Sequence, residues 1–289
     1  MNNQVKISVI INCLNGQEYL NEAIESVLNQ TYTNWEIVFL DNCSTDKSFE
    51  IVKNYNNDKI KVFKSDKYLV CGEARNLAIS KATGKYIAFL DSDDIWEKTK
   101  LQMQLNLIEK TKSKIVYCNS FIKNKKLKLL SKKKLPEGNL TKRIINNNPI
   151  IFSSVMFDSD IFFKENYRFN KYEIIEDLDI FFRLSKNHNF SAVQSPLVIY
   201  RDHQNMISKK KFELHIDELS NWADEFKDEI DKNDLNKMKS KIYYNKSSIN
   251  LKNYHFEDFF ENLKFVKQNN LIIRLLIKFV IQNIKRLKN

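Results

Sequence analysis

At 289 residues, with 43% hydrophobic and 12% aromatic content, the chain can bury a sizeable core, which excludes wholesale disorder and favours one large domain with a smaller appendage. Lysine and arginine outnumber aspartate and glutamate 47 to 36, a net charge of +11. That balance attracts phosphates on nucleic acid, anionic lipid or nucleotide, and an Asn- and Lys-rich base bias accounts for much of it without any partner.

Strand and helix alternate through the first half. Residues 7–11 are apolar and β-branched, and 18–30 place Leu20, Ala23, Ile24, Val27 and Leu28 on one helical face. A strand over 35–40 ends in DNCSTD at 41–46, where Ser44, Thr45 and Asp46 suit the cap of a following helix. Strand 60–63 precedes a helix at 73–82 stopped by Gly84. Strand 86–90 runs into DSDD at 91–94, and a helix over 98–110 leads to a strand at 114–119. This order predicts an α/β fold, a mainly parallel sheet with helices on both faces. Ligands of such sheets bind beyond the carboxyl ends of the strands. The polar clusters 12–16, 41–46 and 91–94 all fall there and are expected to converge.

Residues 120–137 are lysine-rich, with Lys123, Lys125, Lys126, Lys128, Lys132, Lys133 and Lys134, and read as a solvated hairpin or mobile loop, with phosphate contact as the other reading. Residues 150–203 are mixed α/β, and from 204 onward the pattern is helical. The final segment, 271–288, is apolar with Arg274, Lys278, Gln282 and Lys285 in a polar stripe and no acid. It reads either as an interfacial helix on anionic lipid or as a terminal helix packed on its domain. No leader is expected in residues 1–6 and no charge-free membrane-spanning run occurs. The four cysteines lack metal-ligand spacing: Cys13 and Cys118 adjoin apolar runs, Cys43 and Cys71 fall in polar loops, and all four are expected as thiols in a reducing cytosol.

Chemistry-bearing residues stand at the strand ends. Asp91 and Asp93, with Asp94 adjacent, repel unless a cation or a proton intervenes, and Mg²⁺ or Mn²⁺ suits oxygen donors shared with phosphates. Capping of the helix near Lys98 is the plainer use. Asp41 and Asn42 can read a base edge or a ribose hydroxyl, or form an Asx-turn. Glu176-Asp177 opens a helix, where acids favour the dipole, and a carboxylate there can also serve as a base. Tyr200-Arg201-Asp202-His203 admits both a phosphate contact and a surface ion pair, and His188, His215 and His255 have no partner spacing.

In order, SVIINCLNG (8–16), EAIESVLNQT (22–31), WEIVFLDNCSTD (35–46), EARNLA (73–78), GKYIAFLDSDDIW (84–96) and EDLD (176–179) resemble the family 2 glycosyltransferases of bacterial surface-glycan type. The resemblance spans roughly 5–205 and implies a GT-A fold with a C-terminal helical extension, divided as 1–205 and 206–289. It implies an inverting transferase that moves a hexose or N-acetylhexosamine from a nucleotide-sugar, a UDP-sugar first, to a glycan or lipid-linked acceptor in polysaccharide or lipopolysaccharide synthesis. Asn12, Asp41 and Asn42 would line the base and ribose pocket, Arg75 the nucleotide, and Asp91 and Ser92 the ribose or diphosphate. Asp91, Asp93 and His203 would stand at the metal, Mn²⁺ or Mg²⁺, and Asp177 would be the base. The expected location is cytoplasmic, peripheral on the inner face of the membrane. The pattern departs from the family at Asn42, where aspartate is common, and at Leu14, where an aromatic residue is common. The competing readings are an inactive nucleotide- or glycan-binding module, a nucleotidyltransferase, disfavoured because no glycine-rich phosphate loop exists, and a nucleic-acid binder, disfavoured because no reader motif exists, so no nucleic-acid partner is expected.

Overall fold

The computed structural model describes the backbone of residues 5–288 and side chains to residue 282; Lys285 of the C-terminal stripe and residues 1–4 of the N-terminal segment lie outside the described side chains. The first unit comprises residues up to 144 together with 148–204, and the second comprises 145–147 together with 205–289.

In chain order the first unit runs β1 (Ile7–Cys13), α1 (Leu20–Leu28), β2 (Trp35–Asp41), α2 (Ser48–Lys53), β3 (Ile60–Lys64), α3 (Cys71–Ile79), β4 (Tyr86–Phe89), β5 (Ile95–Trp96) and α4 (Lys100–Thr111). It continues with β6 (Ile115–Lys123), β7 (Leu127–Leu129), α5 (Thr141–Asn147, whose last three residues count with the second unit), a 3-10 turn (Phe152–Ser154), β8 (Met156–Asp158), α6 (Asp160–Phe163), α7 (Glu176–Ser185) and β9 (Phe190–Arg201). Nine strands form one sheet in the order β3-β2-β1-β4-β8-β6-β9-β5, with β7 paired to β6. Pairing is parallel for β1 with β2 and β4, β2 with β3, and β6 with β9. It is antiparallel where β8 sits between β4 and β6. Two reversals restore direction, so β1, β2, β3, β4, β6 and β9 all deliver their carboxyl ends to the same edge.

Alternation along the strands divides the core into two layers. Ile7, Val9, Ile11 and Cys13 of β1 and Trp35, Ile37 and Phe39 of β2 join one cluster with Leu20, Ile24 and Val27 of α1 and Leu101, Leu105 and Ile108 of α4. The other face meets α3 and a phenylalanine cluster in which Phe89 contacts Phe152, Phe157, Phe162 and Phe169. Glu36 ties this framework together: buried on β2, it accepts from Lys6, Lys61, Ser8 and the backbone of Thr83 at 2.6–2.8 Å.

Several sequence expectations shift. The lysine-rich stretch begins as a hairpin, β6 running on to Lys123 and returning as β7. Cys71 opens α3 instead of lying in a polar loop. The cap of α2 is Lys47, without a side-chain bond; Asp46 does the capping chemistry, accepting from the Ser48 amide at 2.9 Å. All four cysteines are thiols.

The second unit contains α8 (Ile207–Lys210), α9 (Phe212–Glu225), α10 (Lys232–Lys252), α11 (Phe256–Leu263) and α12 (Asn269–Lys288). Leu251, Phe259, Val266 and Leu275 form its core, with Phe259 stacked on Phe279 at 5.5 Å. Among the described residues, no helix is long and apolar enough to cross a membrane.

Candidate active site

The loops after β1 and β2 are sewn together at the carboxyl edge. Asn15, at φ 55, accepts from the Thr45 amide at 2.8 Å, while its own amide donates to Ser44 Oγ. The Gly16 amide donates to Ser48 Oγ at 2.9 Å, and the Gln17 amide to Asp46 Oδ2 at 3.1 Å. The loop after β4 closes on them so tightly that a Cβ at Gly16 would sit 2.8 Å from Ser92 Oγ. The three polar clusters therefore converge, with Ser92 turned toward Cys13 and Gly16.

Asp41 is fully buried; Oδ2 accepts from the Ser44 amide at 3.3 Å, and Lys64 lies 3.9 Å away. The Asn42 amide group is occupied locally. Its Nδ2 donates to the Leu69 carbonyl at 2.7 Å and its Oδ1 accepts from the Leu69 amide at 3.0 Å, a backbone-like pair that fixes residues 65–70. These two bonds give the Asn42 side chain a structural role beside Asp41.

The acidic loop divides by environment. Asp94 is buried and accepts from Ser153 Oγ at 2.5 Å and from the Arg201 amide at 3.0 Å, so it serves the fold and does not cap α4. Burial, aided by Asp93 and Asp91, raises its pKa well above the usual carboxylate range. Asp93 Oδ2 lies 2.9 Å from His203 Nε2. Asp91 Oδ1 lies 3.4 Å from Arg75, and its backbone amide donates to Ser153 Oγ at 3.0 Å. Burial raises the pKa of Asp91, Arg75 opposes the rise, and the charges of Asp93 and Asp177 add to it. Asp177 therefore shares the electrostatic neighbourhood of the acidic loop from the first turn of α7.

Arg75 is the hub. Its guanidinium lies 2.8 Å from Glu176, 3.4 Å from Cys71 Sγ and 3.4 Å from the centre of the Phe152 ring. Burial pushes Glu176 above the usual glutamate range, against the opposing charge of Arg75. On the other side, Arg201 pairs with Glu22 at 2.6 Å and lies 4.6 Å from the Tyr19 ring, and Tyr19 packs against His203 at 5.0 Å. The ion pair left open by the sequence therefore joins a buried Arg201 to an exposed Glu22, at the loop end carrying His203.

Buried polar atoms ordinarily find partners. Among the described residues, nine buried side-chain atoms do not, and seven belong to this edge: Asn12 Nδ2 and Oδ1, Asp41 Oδ1, Arg75 Nη1, Glu176 Oε2, Arg201 Nη1 and His203 Nδ1. Donors and acceptors gathered at one edge, from β1, β2, β9, α3, α7 and the residue pair after β9, suit a polar, phosphate-bearing ligand. A divalent cation also fits the donor set. Among the described residues, no three His, Cys, Asp or Glu side chains gather closely enough to hold an ion alone. Asp91 and Asp93 offer the partial carboxylate shell that Mg²⁺ or Mn²⁺ completes with phosphate and water.

Ser153 and Tyr19 were not singled out from sequence; Glu176 was marked there with Asp177 as a carboxylate that can serve as a base, and Arg201 with His203 as a phosphate contact or surface ion pair. Ser153 stands 62 residues from Asp91, and nothing local marks it. Arg201 lay in a flagged motif, but its burial depends on α1.

The family model "Glycosyl transferase family 2" matches residues 8–175. An Escherichia coli relative, UDP-Glc:alpha-D-GlcNAc-diphosphoundecaprenol beta-1,3-glucosyltransferase WfgD, is 31% identical over 208 residues, covering 71% of this chain and 81% of its own. The putative teichuronic acid biosynthesis glycosyltransferase TuaG of Bacillus subtilis is 38% identical over 104 residues, 35% of this chain and 41% of its own. Among solved structures, S. aureus TarS 1-349 in complex with UDP-GlcNAc superposes with a TM-score of 0.69 at 19% identity, covering 96% of this chain and 89% of that one.

Proposed function

This chain belongs to glycosyl transferase family 2, and from that premise we propose that it moves a hexose or N-acetylhexosamine from a UDP-sugar to a hydroxyl of a lipid-linked glycan in cell-surface polysaccharide assembly. The observation that carries this reading is the ring of unpartnered buried polar atoms at the carboxyl edge. WfgD, by its name, uses a UDP-glucose donor and a diphospholipid-linked acceptor, which supports both substrate classes.

In this reading residues 1–205 form the transferase and 206–289 its extension. Asn12 and Asp41 hold the base and ribose. Arg75, Arg201 and His203 present N–H donors toward the diphosphate, where negative charge grows as the anomeric C–O bond breaks. Asp177 accepts the proton of the acceptor hydroxyl, whose oxygen attacks the anomeric carbon from the face opposite the diphosphate, giving inversion. Mn²⁺ or Mg²⁺, held by Asp93 and Asp91 beside His203, would supply Lewis-acid stabilisation of the leaving diphosphate.

The extension supports a peripheral site on the inner face of the membrane. Ile273, Leu276, Ile277, Val280 and Ile281 of α12 are exposed along one stripe, with Arg274 and Lys278 exposed beside it. Loss of anionic-vesicle binding on truncation after Asn270 is expected; unchanged binding overturns this part.

The enzymatic test is nucleotide release from UDP-, dTDP- and GDP-sugars with Mn²⁺ or EDTA, for wild type and Asp93→Ala. Release from a UDP-sugar, abolished by EDTA and by the substitution, is expected. Release that EDTA and Asp93→Ala leave untouched overturns the metal assignment.

A further inference from the structure

Between Glu109 and Glu137 the chain carries ten lysines and no acidic residue. Six of them, Lys123, Lys125, Lys126, Lys128, Lys132 and Lys133, are exposed on the β6–β7 hairpin and the irregular segment after it. None of these six has an ion-pair partner among the described residues; of the other four, Lys134 pairs with Glu137 at 3.5 Å and Lys114 with Glu165 at 2.5 Å. Uncompensated like charges on a short hairpin repel, and a solvated surface that needed only solubility would mix signs.

The hairpin is joined to the catalytic edge. After register shifts on either side of Asn119, the β6–β9 ladder continues from Ser120 to its last pair, Lys123 with Arg201, so the hairpin leaves the sheet where β9 delivers Arg201, Asp202 and His203. The Asp202 amide donates to the Lys123 carbonyl at 2.9 Å, and the Asn124 side chain donates to Asp202 at 3.4 Å. The Arg201 amide in turn meets Asp94 at 3.0 Å. Lys125 and Lys126 therefore stand at the rim of the loops that carry Asp93 and His203, beyond the inner ring of unpartnered groups assigned to the donor.

We propose that this lysine hairpin is the acceptor-side anion site: it binds a phosphate or diphosphate borne by the acceptor, next to the sugar whose hydroxyl is glycosylated. The inference rests on the glycosyltransferase reading and adds to it the residues that hold the acceptor's phosphates. Lysine suits the task because its ammonium acts as a point charge that tolerates several phosphate orientations. Such a site also concentrates a charged acceptor at the rim and makes its capture sensitive to salt.

The test is calorimetric titration of hexyl diphosphate into UDP-saturated protein, wild type and Lys125→Gln/Lys126→Gln/Lys128→Gln, with hexyl glucoside as the uncharged control. Wild type is expected to bind hexyl diphosphate, more weakly as salt rises, and not the glucoside; the triple variant is expected to lose about tenfold in affinity while UDP affinity stays within about twofold. Equal affinity in the variant, or no hexyl diphosphate binding by a wild type that still binds UDP, overturns the proposal and leaves the donor site standing. Failure to bind UDP condemns the underlying reading instead. A parallel titration with phosphatidylglycerol vesicles separates sources: if the triple variant loses vesicle binding but keeps hexyl diphosphate binding, the hairpin is a membrane contact and the proposal is wrong.

Discussion

Replacing Arg75 with methionine removes a buried cation while keeping much of its volume. The side chain is 9% exposed and Glu176 is 5% exposed, so their 2.8 Å pair is shielded from solvent. Losing one member of such a pair costs about 3–5 kcal/mol, mostly from the charge left behind. Asp91 adds less, since its contact with Arg75 is the longer one, at 3.4 Å. Burial already holds Glu176 above the ordinary glutamate range, so it takes up a proton once the guanidinium is gone, which limits the loss to the lower end, about 3 kcal/mol. For a unit of this size that is about 6–12 °C in melting temperature. Arg75→Met/Glu176→Gln leaves no uncompensated charge and should be more stable than Arg75→Met by about 1 kcal/mol or more. Urea unfolding of the four proteins at pH 7 reads this directly. If the double variant loses the sum of the two single losses, Arg75 and Glu176 are not energetically coupled and the hub argument fails.

Further outcomes follow from individual contacts. Asp177→Asn is expected to lower transfer by about 10²–10⁴-fold with UDP affinity unchanged, and a matching loss of UDP affinity would instead make Asp177 a donor-binding group. Gly72→Ala would bring a Cβ to 1.9 Å from the Asn170 carbonyl, so the segment leading to α7 must shift, with at least about 2 kcal/mol lost in urea unfolding. Burial alone would raise Glu36, but Lys6 and Lys61 ammonium groups with Ser8 and Thr83 hold it well below its usual 4.5, so it binds its proton more readily when unfolded. Its contribution is therefore present above that pH and lost as pH falls below it; Glu36→Gln should be less stable at neutral pH and flatter toward acid.

Much of this arrangement is legible in the sequence because parallel strands place their chemistry at their own ends. The order of apolar runs and polar loops places Asn12, Asp41, Asp91 and Asp93 at the carboxyl edge. What was not legible depends on contacts across the sheet. Asp94 differs from Asp93 by one position, yet Ser153 and the Arg201 amide bury the first while His203 meets the second. Asn42 looked as free as Asp41 until the loop at Leu69 closed on its amide. β8 reverses the sheet with three residues, too few for any periodicity to reveal. The lysine-rich stretch was ambiguous because composition reports charge but not that β6 continues through it to meet β9.

The central claim, that the unpartnered polar ring is the donor site, is tested most directly by calorimetric titration of UDP with Mn²⁺ into wild type, Asn12→Ala, Asp41→Asn and Asp93→Ala. Wild type should bind, and each variant should bind about tenfold or more weakly while unfolding at a temperature close to that of wild type. No binding by wild type, or equal binding by all four proteins, would contradict the account.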